Sequence, residues 1–449
     1  MRKQRSRGRV VPAVVAALCA VAALPAQAWA AGEPSPYTFE PSATTVRGAE
    51  TNTDAEELKP GGTYRDSIKP GGKLYYRVEL DAKSNAYVSA MAVPRLGTKV
   101  GYADELKVTL QDRDGSSCSY NTARFSSAEY ARPIGTYAHR TMEQDSTSCQ
   151  SQDRYYVLIE RTSAATSSSE PWELEIRHLK EPGVKAGGAT AAPESWPSSS
   201  PATTAGEARD RRGGTSFYSA TALEQGEWRD RIKPGETLFY KVPVGWGQQL
   251  FASADLGSTA GDGYVSSALT MALFNPARGF VDSASDISYD GEPKSSALDP
   301  LPPVAYENRF DSSEDVNGMR FAGWYYLRVS LSPQVKEEFG TKPLGLSLRL
   351  TVKGPAKNPP AYAGAPGEFQ VTDDDLNAAA NGLSTPAAAK SDTMRLVAAA
   401  GIGAGTVLVL GLGVWTLVAR RRAGAESGTG VGPGHDSGAP TQYGPPAAW

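Results

Sequence analysis

The sequence predicts an all-β region of two tandem antiparallel β-sandwiches, preceded by a signal peptide and followed by one C-terminal transmembrane helix. Three observations support this prediction. A stretch of seventeen residues occurs twice, the residues around both copies alternate between apolar and polar, and an apolar run lies near each end of the 449-residue chain. Together they indicate a β-rich central region between two apolar segments of different kinds.

The N-terminal segment 1–30 has the organisation of a secretory signal. The basic stretch MRKQRSRGR precedes the apolar stretch VVPAVVAALCAVAALPA, and small residues follow in AQAWAA. A basic head, a short apolar core and an A-x-A site are typical of a signal that is removed. We expect cleavage after Ala28 or Ala30, which discards Cys19, and an uncleaved N-terminal anchor is the alternative.

The central region contains an internal repeat. YRDSIKPGGKLYYRVEL (64–80) and WRDRIKPGETLFYKVPV (228–244) share nine identical positions. Three further pairs of blocks follow in the same order: LKVTLQDRDG and LTMALFNPARG, YYVLIE and YYLRVS, and PWELEIRHL and PLGLSLRLT. Repeats of this length are whole domains rather than solenoid units. The order of the blocks therefore predicts two copies of one domain, at 43–180 and 213–353.

The repeated blocks have the period of a β-strand. In LYYRVEL (74–80) the apolar residues share one face, while Tyr75, Arg77 and Glu79 share the other, and LSLRLTV (346–352) alternates in the same way. Successive strand residues point to opposite faces, so each strand has one buried and one solvent-facing side. Turn-forming pairs separate the predicted strands, with Pro-Gly at 70–71 and 234–235 and Asp-Gly at 114–115. This pattern predicts antiparallel β-sandwiches.

The motifs in both copies resemble those of the bacterial pre-peptidase C-terminal domain. The resemblance is carried by the Leu-x-x-Gly turns that start at Leu58 and Leu223, the IKPGE-x-LFYKV block, the pattern L-x-V-x-L-x-D-x-DG, and AGWYYLRVS. That family is a small, jelly-roll-like β-sandwich attached to secreted proteases and surface proteins. The resemblance implies a non-catalytic binding or spacer module.

Two segments rich in Pro, Ala, Ser and Gly are predicted linkers that extend without packing, at 181–212 and 354–395, and the second is a stalk. The uncharged run 396–419 follows, and a helix of that length spans about 36 Å, enough to cross a bilayer. Arg420, Arg421 and Arg422 come next and favour a cytoplasmic C-terminus. The Gly/Pro-rich tail 420–449 is a predicted disordered segment. These features predict a single-pass type I cell-membrane protein with its N-terminal region outside.

Cysteine content and charge narrow the classes of partner. Two cysteines remain after processing, Cys118 and Cys149, and an oxidising exterior favours a disulfide between them, with two free thiols as the alternative. The formal net charge of −3 gives no electrostatic basis for nucleic-acid binding.

The residues that could carry chemistry do not assemble into a recognised catalytic or metal site. Of the three histidines, His139 is expected in a solvated loop, His178 at the core edge of the last strand of the first copy, and His435 in the tail. Asp112 and Asp114 in QDRDG are expected in a hairpin turn, with calcium ligation as the alternative. No metal or cofactor is predicted.

An aromatic residue is the main candidate for a ligand contact. Trp246 lies between two glycines in VGWGQQ and is predicted to be exposed, where its ring could contact a sugar or a protein. The acidic run 373–375 is expected to be solvated. The sequence therefore predicts a non-catalytic binding or spacer protein of the bacterial envelope, with cell-wall glycan or another envelope protein as partner. The alternative is an accessory subunit of a membrane or secreted protease, or an enzyme of unrecognised type.

Overall fold

The first half of the chain forms a β-sandwich. The computed structural model describes residues 33–142, 147–185, 191–199, 201, 207–390 and 412–418, so the predicted signal peptide 1–30 lies outside the described residues. The strands of this half are β1 Thr44–Thr45, β2 Glu56–Glu57, β3 Thr63–Ile68, β4 Lys73–Leu80, β5 Ser84–Val93, β6 Glu105–Gln111, β7 Ser117–Arg124, β8 Ile134–Arg140, β9 Asp153–Thr162 and β10 Trp172–Pro182. A 3-10 helix at Asn52–Asp54 precedes β2.

These strands form two five-stranded sheets, which we call the inner and outer sheets of sandwich 1. The inner sheet has the order β1-β3-β10-β5-β8 and the outer sheet the order β2-β4-β9-β6-β7. All pairings are antiparallel except those of the two-residue strands β1 and β2, which pair in parallel with β3 and β4. Apolar side chains from both sheets, including Tyr76, Val88, Val157 and Trp172, fill the space between them.

The second half forms sandwich 2. Its strands are β11 Arg209–Asp210, β12 Thr221–Ala222, β13 Gly226–Ile232, β14 Thr237–Val244, β15 Gln249–Leu256, β16 Val265–Phe274, β17 Phe280–Ser283, β18 Ile287–Tyr289, β19 Lys294–Ala297, β20 Gly323–Leu331 and β21 Leu344–Lys353. Its helices are a 3-10 helix at Tyr306–Phe310, α1 at Glu314–Gly318 and α2 at Val335–Phe339; a further helix, α3, follows at Asp373–Asn381.

Sandwich 2 has the same strand order as sandwich 1. Its outer sheet is β11-β13-β21-β15-β19 and its inner sheet is β12-β14-β20-β16-β17, with β18 also paired to β16. The inner sheet of sandwich 1 is equivalent in strand order to the outer sheet of sandwich 2, and the outer sheet of sandwich 1 to the inner sheet of sandwich 2. The all-β sandwich fold predicted from the strand period is confirmed.

The two sandwiches pack against each other through their inner sheets, so the strands form a stack of four layers. Met91 of β5 lies in one apolar cluster with Phe239 of β14 and Phe274 of β16. A second cluster joins Tyr87, Tyr137 and Leu179 of sandwich 1 to Ala277 and Phe321 of sandwich 2. Strand β14 is buried along its whole length and β5 nearly so, whereas β4 of the outer sheet alternates. The prediction that each strand has one solvent-facing side is therefore confirmed for β4 of the outer sheet. It is wrong for β5 and β14 of the inner sheets, which are covered on both sides.

A buried carboxylate, Glu181 at the end of β10, joins the two sandwiches. It is fully buried. Its oxygens accept hydrogen bonds from Asn85 Nδ2 and Tyr87 Oη at 2.7 Å each and from Tyr362 Oη at 2.8 Å. Arg309 of sandwich 2 donates through Nη2 at 3.0 Å and Nη1 at 3.3 Å. Arg309 and these hydrogen bonds lower the pKa of Glu181 despite its burial, so the ionised form is the stable one.

The turn between β16 and β17 supplies the second buried ion pair of the junction. Arg278 Nη1 donates to Glu175 Oε1 of β10 at 2.6 Å, and both side chains are nearly inaccessible. The neighbouring Gly279 is required because a Cβ there would lie 2.3 Å from ring carbons of Tyr137. This turn occupies the position that the aspartates of QDRDG have in the first copy. The equivalent turn of sandwich 2 lacks both acids and packs against sandwich 1.

The segment after sandwich 2 does not extend freely, which corrects the predicted stalk for residues 355–384. Tyr362 pairs with Val184, and Lys185 N donates to Ala361 O at 2.8 Å. Phe369 is buried among Tyr87, Phe321 and their neighbours. The described part of the other predicted linker also packs, since Trp196 Nε1 donates to Pro300 O at 2.8 Å. Residues up to Ser384 thus belong to one compact unit.

The acidic run 373–375 is structural rather than merely solvated. It begins helix α3, where Thr372 Oγ1 accepts from Asp375 N and the Asp375 carboxylate accepts from Thr372 N, forming a capping box. Asp375 Oδ1 also accepts from Trp324 Nε1 at 2.7 Å. The acids therefore stabilise the helix N-terminus and attach it to β20.

The unit that starts at Thr385 is described only at 385–390 and 412–418, and both stretches are helical. Within these residues no helix has the length and apolar character that crossing a bilayer demands. Most of the predicted span 396–419, together with Arg420, Arg421 and Arg422 and the tail 420–449, lies outside the described residues.

Replacing Glu181 with Gln should destabilise the protein by about 3–5 kcal/mol, because Arg309 would keep its buried charge without a counter-ion. The matched control is Glu173→Gln on the same strand. Glu173 pairs with Arg65 where both side chains are 46% exposed, and the expected loss is about 0–1 kcal/mol. Urea unfolding of both variants measures the difference, and equal losses would contradict a central role for Glu181.

Candidate functional site

A cleft of about 530 Å³ lies at the junction and is lined by residues of both sandwiches. Sandwich 1 contributes β7, the start of β8 and the loop that connects them, and sandwich 2 contributes residues of β16, β17, β20 and α1. This volume is within the usual range of about 300–1,000 Å³ for small-ligand sites. We treat this junction cleft as the candidate site.

A second depression, of about 610 Å³, lies on sandwich 1 alone and is less suited to recognition. Its charged side chains already compensate one another. Glu79 pairs with Arg154 at 3.1 Å, Asp153 with Arg113 at 3.8 Å, and Asp81 with Lys180. A ligand there would have to displace existing ion pairs, whereas the junction cleft contains cations without carboxylate partners.

The loop 125–133 between β7 and β8 forms one wall of the cleft and reaches sandwich 2. Tyr130 Oη donates to Ser330 O at 3.0 Å and lies 3.3 Å from Thr270 Oγ1. Ser127 Oγ donates to Asp286 Oδ2 of sandwich 2 at 2.9 Å. These bonds link the two sandwiches at the cleft, so the wall has a defined position before any ligand arrives.

Arg132 stabilises this loop from within. Its guanidinium donates to three main-chain oxygens of the same loop: Phe125 O at 2.8 Å, Tyr130 O at 3.3 Å, and Ala128 O. The side chain is only 5% exposed. Burial lowers the pKa of Arg132. Carbonyl groups are neutral, so dipoles solvate the positive charge, and the nearby Asp286 carboxylate partly opposes the effect of burial on the pKa of Arg132.

Arg328 faces Arg132 from the other sandwich. It lies on β20 and is 7% exposed, and its Nη1 donates to Pro133 O at 2.5 Å. Its Nε has no hydrogen-bond partner. Burial and then the charge of Arg132 lower the pKa of Arg328. Two buried cations of like charge therefore line one cleft.

Aromatic and polar side chains complete the lining. Tyr120 is 60% exposed, with Lys107 Nζ 4.7 Å from its ring centre, and the half-buried Phe280 lies edge-on to Phe274. The hydroxyl and amide groups come from Asn121, Thr122, Ser126, Thr270 and Ser283. Apolar ring faces beside hydrogen-bonding groups are the combination that binds sugars and other amphipathic ligands.

Three of the predictions made from sequence agree with the structure. Cys118 and Cys149 form a disulfide with a Cα–Cα distance of 5.8 Å, which confirms their pairing. His178 is 1% exposed on the core side of β10, as expected. QDRDG forms the β6–β7 hairpin turn, in which Asp112 Oδ1 accepts from the amides of Asp114 at 3.0 Å and Ser116 at 2.8 Å. None of these five residues lines the junction cleft.

Two predictions about exposure are wrong. Trp246 is only 7% exposed, because the chain after sandwich 2 covers it: Lys357 N donates to Trp246 O at 2.7 Å, and Tyr362 lies 6.4 Å from its ring. His139 is on strand β8 rather than in a loop, and its ring lies 5.4 Å from that of Tyr137. Burial, followed by the charges of Arg320 and Arg309, lowers the pKa of His139, so it is neutral.

The cleft residues were missed because their sequence signal is weak. In WYYLRVS, Arg328 alternates with core residues, which is the pattern of a solvent-facing strand residue. Arg132 lies in a loop, where no strand or helix period applies. A usable signal was the aromatic content of the face opposite the core in sandwich 2, where Phe239, Trp324 and Tyr326 point away from it. Aromatic residues on a supposedly wet face indicate that something covers it.

Comparisons with known proteins assign no family. No family model matches the chain, and no curated protein matches it. The solved structures similar to it include the pre-peptidase C-terminal domain of a Bacillus anthracis collagenase, with 11% identity over 28% of this chain and 94% of that one and a TM-score of 0.18. A tandem CBM22 domain of Paenibacillus barcinonensis Xyn10C has 12% identity over 65% and 86%, with a TM-score of 0.19.

A third similar structure is the CUB1-EGF-CUB2 domain of human MASP-1/3, with 8% identity over 64% of this chain and 99% of that one and a TM-score of 0.16. At these identities and TM-scores, none of the three carries an argument about chemistry or partners. The β-sandwich fold rests on the strand pairing of this chain itself.

We expect the stability of the protein to fall as the pH drops from about 6.5 to about 4, in part because of His178. Burial lowers its pKa to about 4, whereas an unfolded histidine titrates near 6.5. The unfolded state therefore takes up a proton first, and each pH unit costs up to about 1.4 kcal/mol. His178→Gln should reduce this slope by about one proton.

The measurement is urea unfolding at half-unit pH intervals, compared with direct NMR titration of the His178 ring. An unchanged slope in the variant, or a ring that titrates near pH 6.5 in the folded protein, would contradict this assignment.

Proposed function

We propose that this protein is a non-catalytic binding protein of the bacterial envelope, exported through its signal 1–30 and anchored by a helix at 396–419. The basic, apolar and small-residue order of the N-terminus and the arginines after the apolar run support this topology. In this proposal the two sandwiches are outside the cell and Arg420, Arg421 and Arg422 are inside.

The observation that carries the binding role is the preformed junction cleft. Its two walls come from different sandwiches, and hydrogen bonds of Tyr130 and Arg328 across the junction set their spacing. A site that is built before binding loses less entropy when the ligand arrives. Such a cleft suits recognition of an extended ligand.

The residues most often used in catalysis are arranged for packing in the described part of the chain. Both described histidines have a lowered pKa because they are buried, and His178 Nδ1 lies 2.7 Å from Leu58 O. Cys118 and Cys149 are bonded to each other. The described residues contain no group of three His, Cys, Asp or Glu suited to a metal ion. This arrangement favours binding over catalysis.

We further propose that the two sandwiches arose by duplication of one domain. Their identical strand order and the conserved IKPG turns before β4 and β14 support this origin. Duplication followed by packing of the inner sheets makes a cleft that a single copy does not have. We propose cell-wall glycan as the partner, since rings and hydroxyl groups line the cleft, with another envelope protein as the second choice.

Full-length protein purified in detergent should co-sediment with purified bacterial cell-wall sacculi. Tyr120→Ala should weaken this binding about three- to tenfold, because a ring contact contributes roughly 0.5–1.5 kcal/mol. The matched control is Tyr264→Ala, since Tyr264 is 65% exposed and Tyr120 is 60% exposed, but Tyr264 lies outside the cleft. Failure of the wild type to sediment, or equal losses in both variants, would overturn the proposed partner or site.

Anchoring is tested by epitope accessibility in intact bacteria. An epitope inserted after Ser384 should be detected by antibody on intact cells once the wall is removed, and an epitope after Trp449 only after permeabilisation. Deletion of 396–422 should release the protein into the medium. Equal accessibility of both epitopes would contradict the type I topology.

A further inference from the structure

The buried arginines of the junction differ in how their charges are compensated. Arg278 and Arg309 each form an ion pair with a buried glutamate of β10. Arg320 is fully enclosed, donates to Tyr137 Oη at 2.6 Å and lies over aromatic rings. Arg328 has no carboxylate within ion-pair distance in the described part of the chain, yet it borders an open cleft.

The donor capacity of Arg328 is largely unused. Only Nη1 donates, to Pro133 O, whereas Nε has no partner and Nη2 joins no other described group. A guanidinium has five N–H donors in a planar fork that matches a carboxylate or phosphate. Leaving such a group buried and unsatisfied is costly, and an incoming anion would remove that cost.

Arg132 adds a second positive charge to the cleft, and its own hydrogen bonds leave the N–H groups of Arg328 available to an anion. Its hydrogen bonds go to carbonyl oxygens of the loop 125–133, so it forms no ion pair within the described residues and its charge acts on Arg328. The positive potential of two cations in a partly dry cleft is greater than that of the same pair in water.

The acidic residues of the cleft offset part of this charge, since burial lowers the pKa of both Arg132 and Arg328 and the charge of Asp286 partly opposes that effect. Asp286 is held by Ser127 at 2.9 Å and forms no ion pair with either arginine within the described residues. Burial and the charge of Asp315 raise the pKa of Glu314. Arg124, also in the lining, is already paired with Glu105 at 2.5 Å. Neither Asp286 nor Glu314 forms an ion pair with Arg328 within the described residues, so its guanidinium can still donate to an incoming anion.

We propose that the junction cleft binds an anionic saccharide, with Arg328 donating to a carboxylate or phosphate group and Tyr120 packing against a sugar ring. This inference rests on the proposed glycan-binding function and specifies the chemical class of the ligand. Arg328 recognises the anion, Arg132 adds charge, and the hydroxyl and amide groups of β7 and β17 contact sugar hydroxyls.

The experiment measures binding of three soluble polymers to the full-length protein immobilised in detergent: polygalacturonate, phosphorylated dextran and neutral dextran. Binding to at least one anionic polymer and not to dextran is expected, and it should weaken at high salt because the contact is ionic. The first two polymers distinguish a carboxylate from a phosphate. Equal binding of dextran, or binding of none of the three, would overturn the proposal.

Variants of the arginine test the assignment. Arg328→Gln should weaken binding of the anionic polymer about tenfold or more, since a charge-assisted hydrogen bond contributes roughly 1.5–3 kcal/mol, and Arg328→Lys should retain part of it. The control is Arg349→Gln on the outer sheet of sandwich 2, where Arg349 pairs with Asp255. Similar losses in R328Q and R349Q would contradict a specific role for Arg328.

A gain-of-binding variant guards against loss through misfolding. Asp286→Asn keeps an oxygen acceptor for Ser127 and removes a negative charge near the arginines, so binding should tighten about two- to fivefold. Unchanged or weaker binding would count against an anion beside Arg328. If wild type fails to sediment with sacculi, the glycan-binding function fails; if it sediments and R328Q sediments equally, only the anionic specificity fails.

Discussion

The ionised Glu181 carboxylate is the interaction on which the arrangement of the two sandwiches depends. It receives donors from three separate parts of the chain: Asn85 and Tyr87 of sandwich 1, Arg309 of sandwich 2, and Tyr362 of the segment beyond it. A buried charge is tolerated only when its partners are in place. The arrangement of the sandwiches that brings these donors together is therefore favoured over others that bury the same apolar area. Hydrophobic contact between the inner sheets stabilises their association, and the ionic cluster around Glu181 determines their relative orientation.

The junction cleft follows from the same geometry. The inner sheets are in contact around Tyr87, Tyr137 and Phe321, and the cleft is lined by the edge strand β7 of sandwich 1 and by residues of β17 of sandwich 2. The loop 125–133 spans part of this cleft and positions Arg132 within it. Each half alone would expose this surface to water. Packed together, the halves convert two ordinary strand edges into a concave site with a defined charge.

The sequence predicts the outer sheets of the two sandwiches better than it predicts the inner sheets and the cleft. The repeat located β4 and β14 at equivalent positions, and the alternation of Leu74 to Leu80 identified the core side of an outer strand. For the inner sheets the same alternation did not predict burial of both faces. It identifies the residues that face the core of their own sandwich, but it does not show what covers the opposite face. The pairing of Glu181 with Arg309, 128 positions apart, leaves no local pattern. The role of Arg328 also leaves no local pattern, because its contacts are with residues distant in sequence. The disulfide was predictable from the expected compartment and the number of cysteines.

The packing of residues 361–369 has a mechanical consequence. A pull on the chain beyond Ser384 is transmitted first to α3 and to the ring of Phe369, then to the short pairing of Tyr362 with Val184, and so to Glu181. These attachments are few and are loaded one after another, whereas the long strands β10 and β21 are held by neighbours on both sides. Tension would therefore detach this segment before it unravels either sandwich, and the first bond to the carboxylate cluster to be lost would be that of Tyr362.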